Sequence, residues 1–456
     1  MSTSLGRAGA PVVALPITQP RRLIELDILR GFLLLGMTLT HLPTKASSIS
    51  NQMFGFVSDA EGFIFLAAFL MGRIEQRKQQ KVGESGVLRD VLRRTCRIYF
   101  YHCMLLAVAF TLVAEVALRF HLPALQNLLS FYLQSPKQAI IAAALLNYQP
   151  SLMDILPMYI VFMLLTPLAR KVARSLGWET VLFVSFVVWA GAQFGLRAWV
   201  YSHGDFFGLH VPESSTGAFD LYGWQLLWML GLALGSIYAE SLSAAPSNAD
   251  SDSRIPSRLV KLSCVAAAAF FVLRYVPTDH WVNAQLYAWL IDKWRLGAAR
   301  LINFAALALL LVRFGDRLAG LPLFKPLALL GQASIQVFSV HILFCIAGQA
   351  LSKQADPELP WWEQGILLSV TISALFITAH LATKRSRNQA RDAFLRPRHF
   401  SSVFTIVPSY SLRRQIAGST RLARTEGTYT ARNPTQVRSG ITAPSVTGSY
   451  QATPHT

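Results

Sequence analysis

From residue 23 to residue 383 the chain is a succession of long apolar runs separated by short polar or basic connections. A helix needs about 20 mainly apolar residues to cross the hydrocarbon core of a bilayer. A window of that width picks out ten spans, near 23–42, 58–73, 95–118, 153–169, 179–199, 221–240, 259–275, 295–313, 326–350 and 362–383. The runs are continuous rather than alternating, which excludes a transmembrane β-barrel. QAIIAAALL (138–146) is too short to span and is expected to be an interfacial or re-entrant helix. The pattern predicts an all-α polytopic membrane protein, a bundle of about ten transmembrane helices. Neither an internal repeat nor an interrupted helix is apparent.

Composition agrees and charge adds orientation. Hydrophobic residues make up 53% and charged residues 14% of 456, too apolar a balance for a soluble domain. A formal net charge of +18 in a soluble protein would suggest nucleic acid, but here Lys and Arg lie in patches between the apolar runs, so no nucleic-acid partner is expected. Arg73 to Arg97, Arg170 to Arg174, Arg254 to Lys261 and Arg313 to Lys325 bound the patches, which the positive-inside rule assigns to the cytoplasm together with both termini. The opposite loops, 43–57, 119–152, 200–220, 276–294 and 351–361, are poorer in Lys and Arg, and Trp361-Trp362 fits an interfacial aromatic belt there. The first run carries Arg30 with Glu25 and Asp27 at its flank and no A-x-A site, so it is expected to stay as an anchor.

Three regions follow: a cytoplasmic segment 1–22, a transmembrane domain 23–383 and a basic cytoplasmic tail 384–456, disordered over 411–456. The tail holds 12 Lys and Arg against 2 acidic residues, which favours contact with anionic membrane lipid. A short polar linker, 241–257, lies on the same side. Cys96, Cys103, Cys264 and Cys345 show no C-x-x-C spacing, so neither a disulfide framework nor a metal site is expected.

An ionisable side chain deep in a span costs at least about 2.5 kcal/mol and so needs a partner or a role. Arg30 and His41 are eleven positions apart, which places them on nearly one helix face about 16 Å apart. Asp27, one turn from Arg30, can pair with it and leave His41 as the titratable group; a structural pair plus an interfacial His is the plain alternative. Asp59 and Glu61, Asp154, Asp220 with Trp224 and Gln225, Asp292 with Lys293 and Arg295, and His341 all map to the outer half of other spans. A polar cluster drawn from six spans at one depth is the mark of a site in a bundle, although an end-of-span Asp can also cap a helix. On the inner side Arg93, Arg94 and Arg97 serve either topology alone or a clamp for a phosphate-bearing ligand.

The strings LIELDILRGFLLLGMTLTHLP, SDAEGFIFLAAFLMG, LMDILPMYIVFMLLTP, YGWQLLWMLGLALG, DKWRLGAARLINFAALA and LGQASIQVFSVHILFCIAG resemble the acyltransferase-3 superfamily and, within it, the OpgC branch, from about Leu23 to His380. That branch is associated with succinylation of osmoregulated periplasmic glucans. The resemblance implies that Arg30 and His41 belong to the functional centre, with Glu61, Asp154 and His341 on matching strings. Two departures bear on substrate identity: Ala67-Ala68 stands where Ser-Gly is usual, and Phe219-Asp220 where Asn-Pro is common.

The reading that results is a bacterial inner-membrane O-acyltransferase, moving succinyl or another short acyl group from cytoplasmic acyl-CoA to a hydroxyl of an extracytoplasmic glucan or other glycan. Acyl-CoA is then a donor substrate and no cofactor is held permanently. Arg93, Arg94 and Arg97 can hold its phosphates. His41 can act as base or acyl carrier with Glu61 or Asp154 orienting it. Lys293 or Arg295 can meet a carboxylate on the acyl group, a topogenic role fitting them equally, and Trp224 and Gln225 complete the substrate side. A homodimer or a glycan-synthesis protein are the protein partners considered. The competing classes are a transporter or flippase of a glycan or lipid-linked intermediate, and a non-catalytic partner of a glycan synthase.

Reporter fusions check the topology. Fusions after Ser50, Gln134, Gly208, Asp279 and Ala355 are expected to read outside, and after Gln80, Ser247 and Ala390 inside. Two or more reversed readings reject the arrangement.

Overall fold

Each apolar window of the sequence lies on helix. The computed structural model describes residues 23–203, 208–244, 255–276, 283–351 and 359–395. The segment 1–22, most of the 241–257 linker and the tail beyond Leu395 therefore lie outside the described residues. About 83% of the structure is helical, with no strand among the described residues. The helices are α1 Ile24–His41, α2 Ala46–Ser50, α3 Asp59–Val108, α4 Ala114–Arg119, α5 Pro123–Leu128, α6 Ser130–Gln134, α7 Pro136–Ala144, α8 Ile155–Gln193, α9 Leu196–His203, α10 Leu221–Ala244, α11 Ser257–Tyr275, α12 Ala284–Leu290, α13 Ala298–Gly320, α14 Leu327–Gln332, α15 Ser334–Ala350 and α16 Trp361–Leu395. A π-helical turn, Ala109–Val113, joins α3 to α4. The main helical unit ends at Asn388.

Two of these helices are hairpins. Lys78 pairs with Asp90, although twelve residues of continuous helix would hold them about 18 Å apart. The chain reverses between them at Gly83, whose φ of 70° only glycine adopts without cost. Thr166 and Ser185 of α8 likewise both reach α10, through Trp228 and Gln225, and the reversal is at Gly177 with φ 84°. Arg174 pairs with Glu84, so the two reversals adjoin.

Long-range contacts sort to two ends of the bundle. At one end Lys45 meets Gln364, Gln149 meets Ser215, Asp154 meets Ala218, and Asp220 meets Trp294. At the other, Glu75 meets Arg170, Gln76 meets Glu240, and the Gly83 and Gly177 reversals adjoin.

Small residues let the helices approach. A Cβ at Gly72, Gly231 or Gly235 would run into the facing backbone of α10 or α3, and Ala68, fully buried, packs in the same seam. This is the small-xxx-small packing of membrane helices, with Gly231 and Gly235 four apart. A second seam sets Gly31 of α1 against the Leu327 carbonyl and Gly331 of α14 against the Asp27 carbonyl.

Four helical stretches among the described residues are long and apolar enough to cross a membrane: Lys81–Arg119, Ile155–Gln193, Ala298–Gly320 and Trp361–Asn388. The pair Pro322–Gln332 and Ser334–Ala350 makes a fifth if taken as one span, but it is bent by 91°. The expectation of uninterrupted helices is overturned here. Ala333 at φ −110°, ψ 34° leaves the helical region, and Ser334 Oγ donates to the Gly331 carbonyl at 2.5 Å to satisfy a group freed by the break. Windows in Ala298–Gly320 and Trp361–Asn388 are only 17% and 22% buried, against 56% in Ile155–Gln193, so the first two present apolar surface to lipid. The short apolar stretch 138–146 begins on α7: Pro136 and Phe110 line one cleft, and eight residues on, the Ala144 carbonyl accepts from the Tyr99 hydroxyl at 2.9 Å, so α7 runs antiparallel to α3.

The α1–α14 seam yields a test. Gly331→Ala is expected to lower the thermal midpoint of the purified protein in detergent, a loss of about 1–3 kcal/mol, because a methyl there meets backbone. Gly315→Ala, with nothing within 4 Å, should be neutral or slightly stabilising. Equal midpoints for the two variants would refute the close approach.

Candidate functional site

The end of the bundle where α1 finishes and α3, α10 and α13 begin carries the densest buried polarity. Ser58 starts α3 with a capping box: Glu61 Oε2 accepts from the Ser58 amide at 3.0 Å and from its hydroxyl. The other oxygen, Oε1, accepts from Arg300 Nε at 2.8 Å and from Nη2, joining α3 to α13. Glu61 is 0% and Arg300 1% exposed. Such a pair is held in place by the cost of leaving either charge alone in a low dielectric.

Beside this pair, His41 closes α1 and faces His341 of α15, ring centroids 6.0 Å apart. His341 is buried, and its Nδ1 lies 2.7 Å from the Phe338 carbonyl. A carbonyl only accepts, so Nδ1 carries the hydrogen and Nε2 of the neutral ring is the basic nitrogen. His41 Nδ1 is itself shielded from solvent within this cluster. Asp59 presses its carboxylate on Gly36 of α1. Lys293 reaches in from the loop before α13, and its charge acts on His41, Asp59, Glu61, Asp154 and Arg300.

That loop is clamped. The Trp189 indole donates to the Leu296 carbonyl at 2.9 Å, Gln193 to Arg295 at 2.8 Å, and Trp224 to Lys293 and Trp294 at 3.2 and 3.0 Å. Trp224, fully buried, thus spends its N–H on the backbone. Gln225 does the same across the bundle, donating to the Ser185 carbonyl at 2.7 Å and accepting from its hydroxyl at 2.5 Å. Both anticipated substrate-side residues position neighbours. Asp220 caps α10 through the Tyr222 amide at 2.9 Å, whereas Asp154, at the start of α8, does not cap it and accepts from the Ala218 amide at 3.2 Å. Arg295 is half exposed and 3.8 Å from Asp292.

The opposite end of the bundle holds the remaining residues. Arg93 and Arg97 are exposed, with Arg93 3.7 Å from Asp90. Arg94 is half-buried; its charge and that of Arg30 both act on the half-buried Tyr159, and Glu75 beside them pairs with Arg170 at 3.1 Å. The structure therefore gathers His41, His341, Glu61, Asp154 and Lys293 at one end, and Arg30 with Arg94 nearer the other. Among the described residues no three His, Cys, Asp or Glu converge on a metal-sized site.

Sequence reasoning passed over Arg300. Its signal was present, since AARLINFAALALLLV sets an arginine against an apolar run just as the first span does for Arg30. Glu75 and Arg170 were hidden for the opposite reason: they sit among exposed basic residues and read as topology.

A family model described as OpgC protein matches residues 22–387, a stretch that includes every residue of both polar ends. No curated protein and no solved structure matches the chain.

The buried pair makes a double-mutant cycle informative. Glu61→Leu and Arg300→Met are each expected to destabilise by on the order of 3–5 kcal/mol, and the double variant to recover most of it. Thermal unfolding of the purified variants is the readout, and strictly additive losses would refute the coupling.

Proposed function

Because the chain belongs to the OpgC family, we propose that it is an inner-membrane O-acyltransferase that moves a short acyl group, succinyl foremost, from cytoplasmic acyl-CoA to a hydroxyl of an extracytoplasmic glucan. The observation that carries this is the facing pair His41 and His341 inside a ring of fixed charge. In the attack, the sugar oxygen bonds to the thioester carbon, the carbon–sulfur bond breaks, and the hydroxyl proton passes through imidazole to the departing thiolate. The basic nitrogen belongs to His41, or His41 carries the acyl group between the two half-reactions. Lys293 is placed to stabilise the oxyanion or to hold a carboxylate on the acyl chain. Glu61, both oxygens engaged, contributes by holding Arg300 and the start of α3.

Donor and acceptor enter from opposite ends in this reading. Arg94 with Arg30 and Tyr159 forms the inner clamp for the phosphates of CoA, assisted by the exposed Arg93 and Arg97. The thioester arm then runs along α1, where Arg30 and His41 are about 16 Å apart. Ten spans, both termini cytoplasmic and membership of the acyltransferase-3 superfamily belong to the same proposal. Its support is that segments read as outer touch one another, while segments read as inner adjoin at the Gly83 and Gly177 reversals.

A transporter or flippase is the second reading, and the 91° bend between α14 and α15 favours it, since interrupted helices line many transport pathways. One experiment separates the two. His41→Gln keeps hydrogen bonding but neither accepts a proton at neutral pH nor carries an acyl group. Purified His41→Gln, given radiolabelled succinyl-CoA and a glucan, is expected to lose at least about 100-fold in transfer while inserting normally. Transfer near the wild-type rate would remove the catalytic assignment and turn preference to transport.

A further inference from the structure

At the same end as the histidine pair, loops 213–218 and 292–295 wall an open cleft of about 400 Å³ that the acyl-transfer chemistry leaves unused. Its lining includes Arg197, Glu213, Gly217, Asp292, Trp294 and Arg295. The walls are braced. Arg197 Nη2 donates to the Thr216 hydroxyl and the Gly217 carbonyl, each at 2.7 Å, and to the Glu213 carbonyl at 3.3 Å. Asp292 Oδ1 accepts from the Trp294 amide at 2.7 Å and from the Arg295 amide at 3.4 Å. The Trp294 carbonyl accepts from the Asp220 amide at 2.9 Å as well as from Trp224.

Within that frame Trp294 is 47% exposed, so part of its indole is free to meet a ligand in the cleft. Phe219 meets it edge-on at 5.6 Å and Lys293 Nζ lies 5.1 Å from its ring centre. The charged lining is two guanidinium groups and two carboxylates, so it has no net charge. An anion would meet Glu213 and Asp292, and an apolar ligand would desolvate all four without pairing them. A neutral molecule with hydroxyls on its rim and C–H groups on its face fits both features, since hydroxyls donate and accept while an apolar face packs on the indole. A sugar ring has that chemistry, and the volume lies in the range of ligand sites.

The cleft is coupled to the histidine end through both walls. Residue 293, next to Trp294, puts its ammonium among the charges of Asp59, Glu61 and Asp154. Asp154 in turn holds the Ala218 amide of the other wall. We infer that this cleft binds sugar units of the acceptor glucan adjacent to the unit being acylated, with Trp294 as the stacking platform. The inference rests on the acyl-transfer reading for its purpose but not for its binding chemistry.

The test uses the full chain in detergent with a neutral gluco-oligosaccharide. Trp294→Ala is expected to raise the KM for the oligosaccharide by at least about tenfold and to leave the KM for succinyl-CoA unchanged, with Trp294→Phe in between. Calorimetric titration of the oligosaccharide without donor should show the same tenfold weakening. If wild-type protein transfers nothing yet binds the oligosaccharide through Trp294, the subsite stands and the acyl-transfer reading falls. If transfer proceeds and neither KM nor binding moves in Trp294→Ala, the subsite falls. Should Trp294→Ala fail to fold, Trp294→Phe and Glu213→Gln carry the same comparison, and wild-type-like oligosaccharide binding in both overturns the assignment. Binding of citrate in preference to the oligosaccharide overturns it as well.

Discussion

The buried pair of Glu61 and Arg300 is the constraint on which the histidine end of the bundle depends. Two charges removed from water in an apolar bundle are tolerated only while each is fully partnered. Glu61 meets that demand with both oxygens, one for Arg300 and one for the Ser58 cap. The start of α3 and the start of α13 are therefore fixed to each other, and what hangs from them is fixed too. Asp59 lies two residues before Glu61 against α1, and the loop bearing Lys293 runs directly into α13.

That local restraint acts on a scaffold brought close by missing side chains. Gly72, Gly231 and Gly235 let α3 and α10 touch backbone to backbone, and Gly31 with Gly331 does the same for α1 and α14. In lipid, where apolar contact drives little association, such close packing supplies much of the attraction between helices. It also transmits position: α10 brings Trp224 to the 292–296 loop, and α14 sets the level from which α15 departs to carry His341 towards His41. Ala68 sits within the first seam against Gly231, so the size of the residue there acts directly on that packing.

Much of this was legible in the sequence because the bilayer imposes a strong pattern. Apolar windows mark the helices, and ionisable residues inside or at the ends of spans place His41, Glu61, Asp154, Lys293 and His341 at one depth, the end where the structure gathers them. Three things were not legible, each for a physical reason. The bend at Ala333 occurs in LGQASIQV, which holds no proline, and the freed backbone is satisfied by Ser334, a residue equally at home in a straight helix. Trp224 and Gln225 were read as facing a substrate because they are polar at the right depth, yet hydrogen-bond direction depends on which backbone lies opposite. Arg300 is masked because it follows Asp292, Lys293 and Arg295 so closely that it reads as one more charge at the entry of the span.

Backbone strain falls in the connections. Gln52, His121, Leu146, Leu152 and Leu296 are the non-glycine residues with positive φ among the described residues, and all lie between helices. A leucine at φ 57° or 69° costs on the order of 1–3 kcal/mol, and persists only where surrounding structure dictates it. Leu152 sits two residues before Asp154, and Leu296 three after Lys293, so strain is stored next to two charged groups of the cluster. The compensation is visible at Leu296: its side chain is fully buried, and its carbonyl accepts from Trp189. A relaxed turn would free Lys293 to follow its charge into solvent. The strained, clamped turn instead holds an ammonium beside the imidazole and carboxylates, so that the charges of the cluster are fixed relative to one another by the backbone.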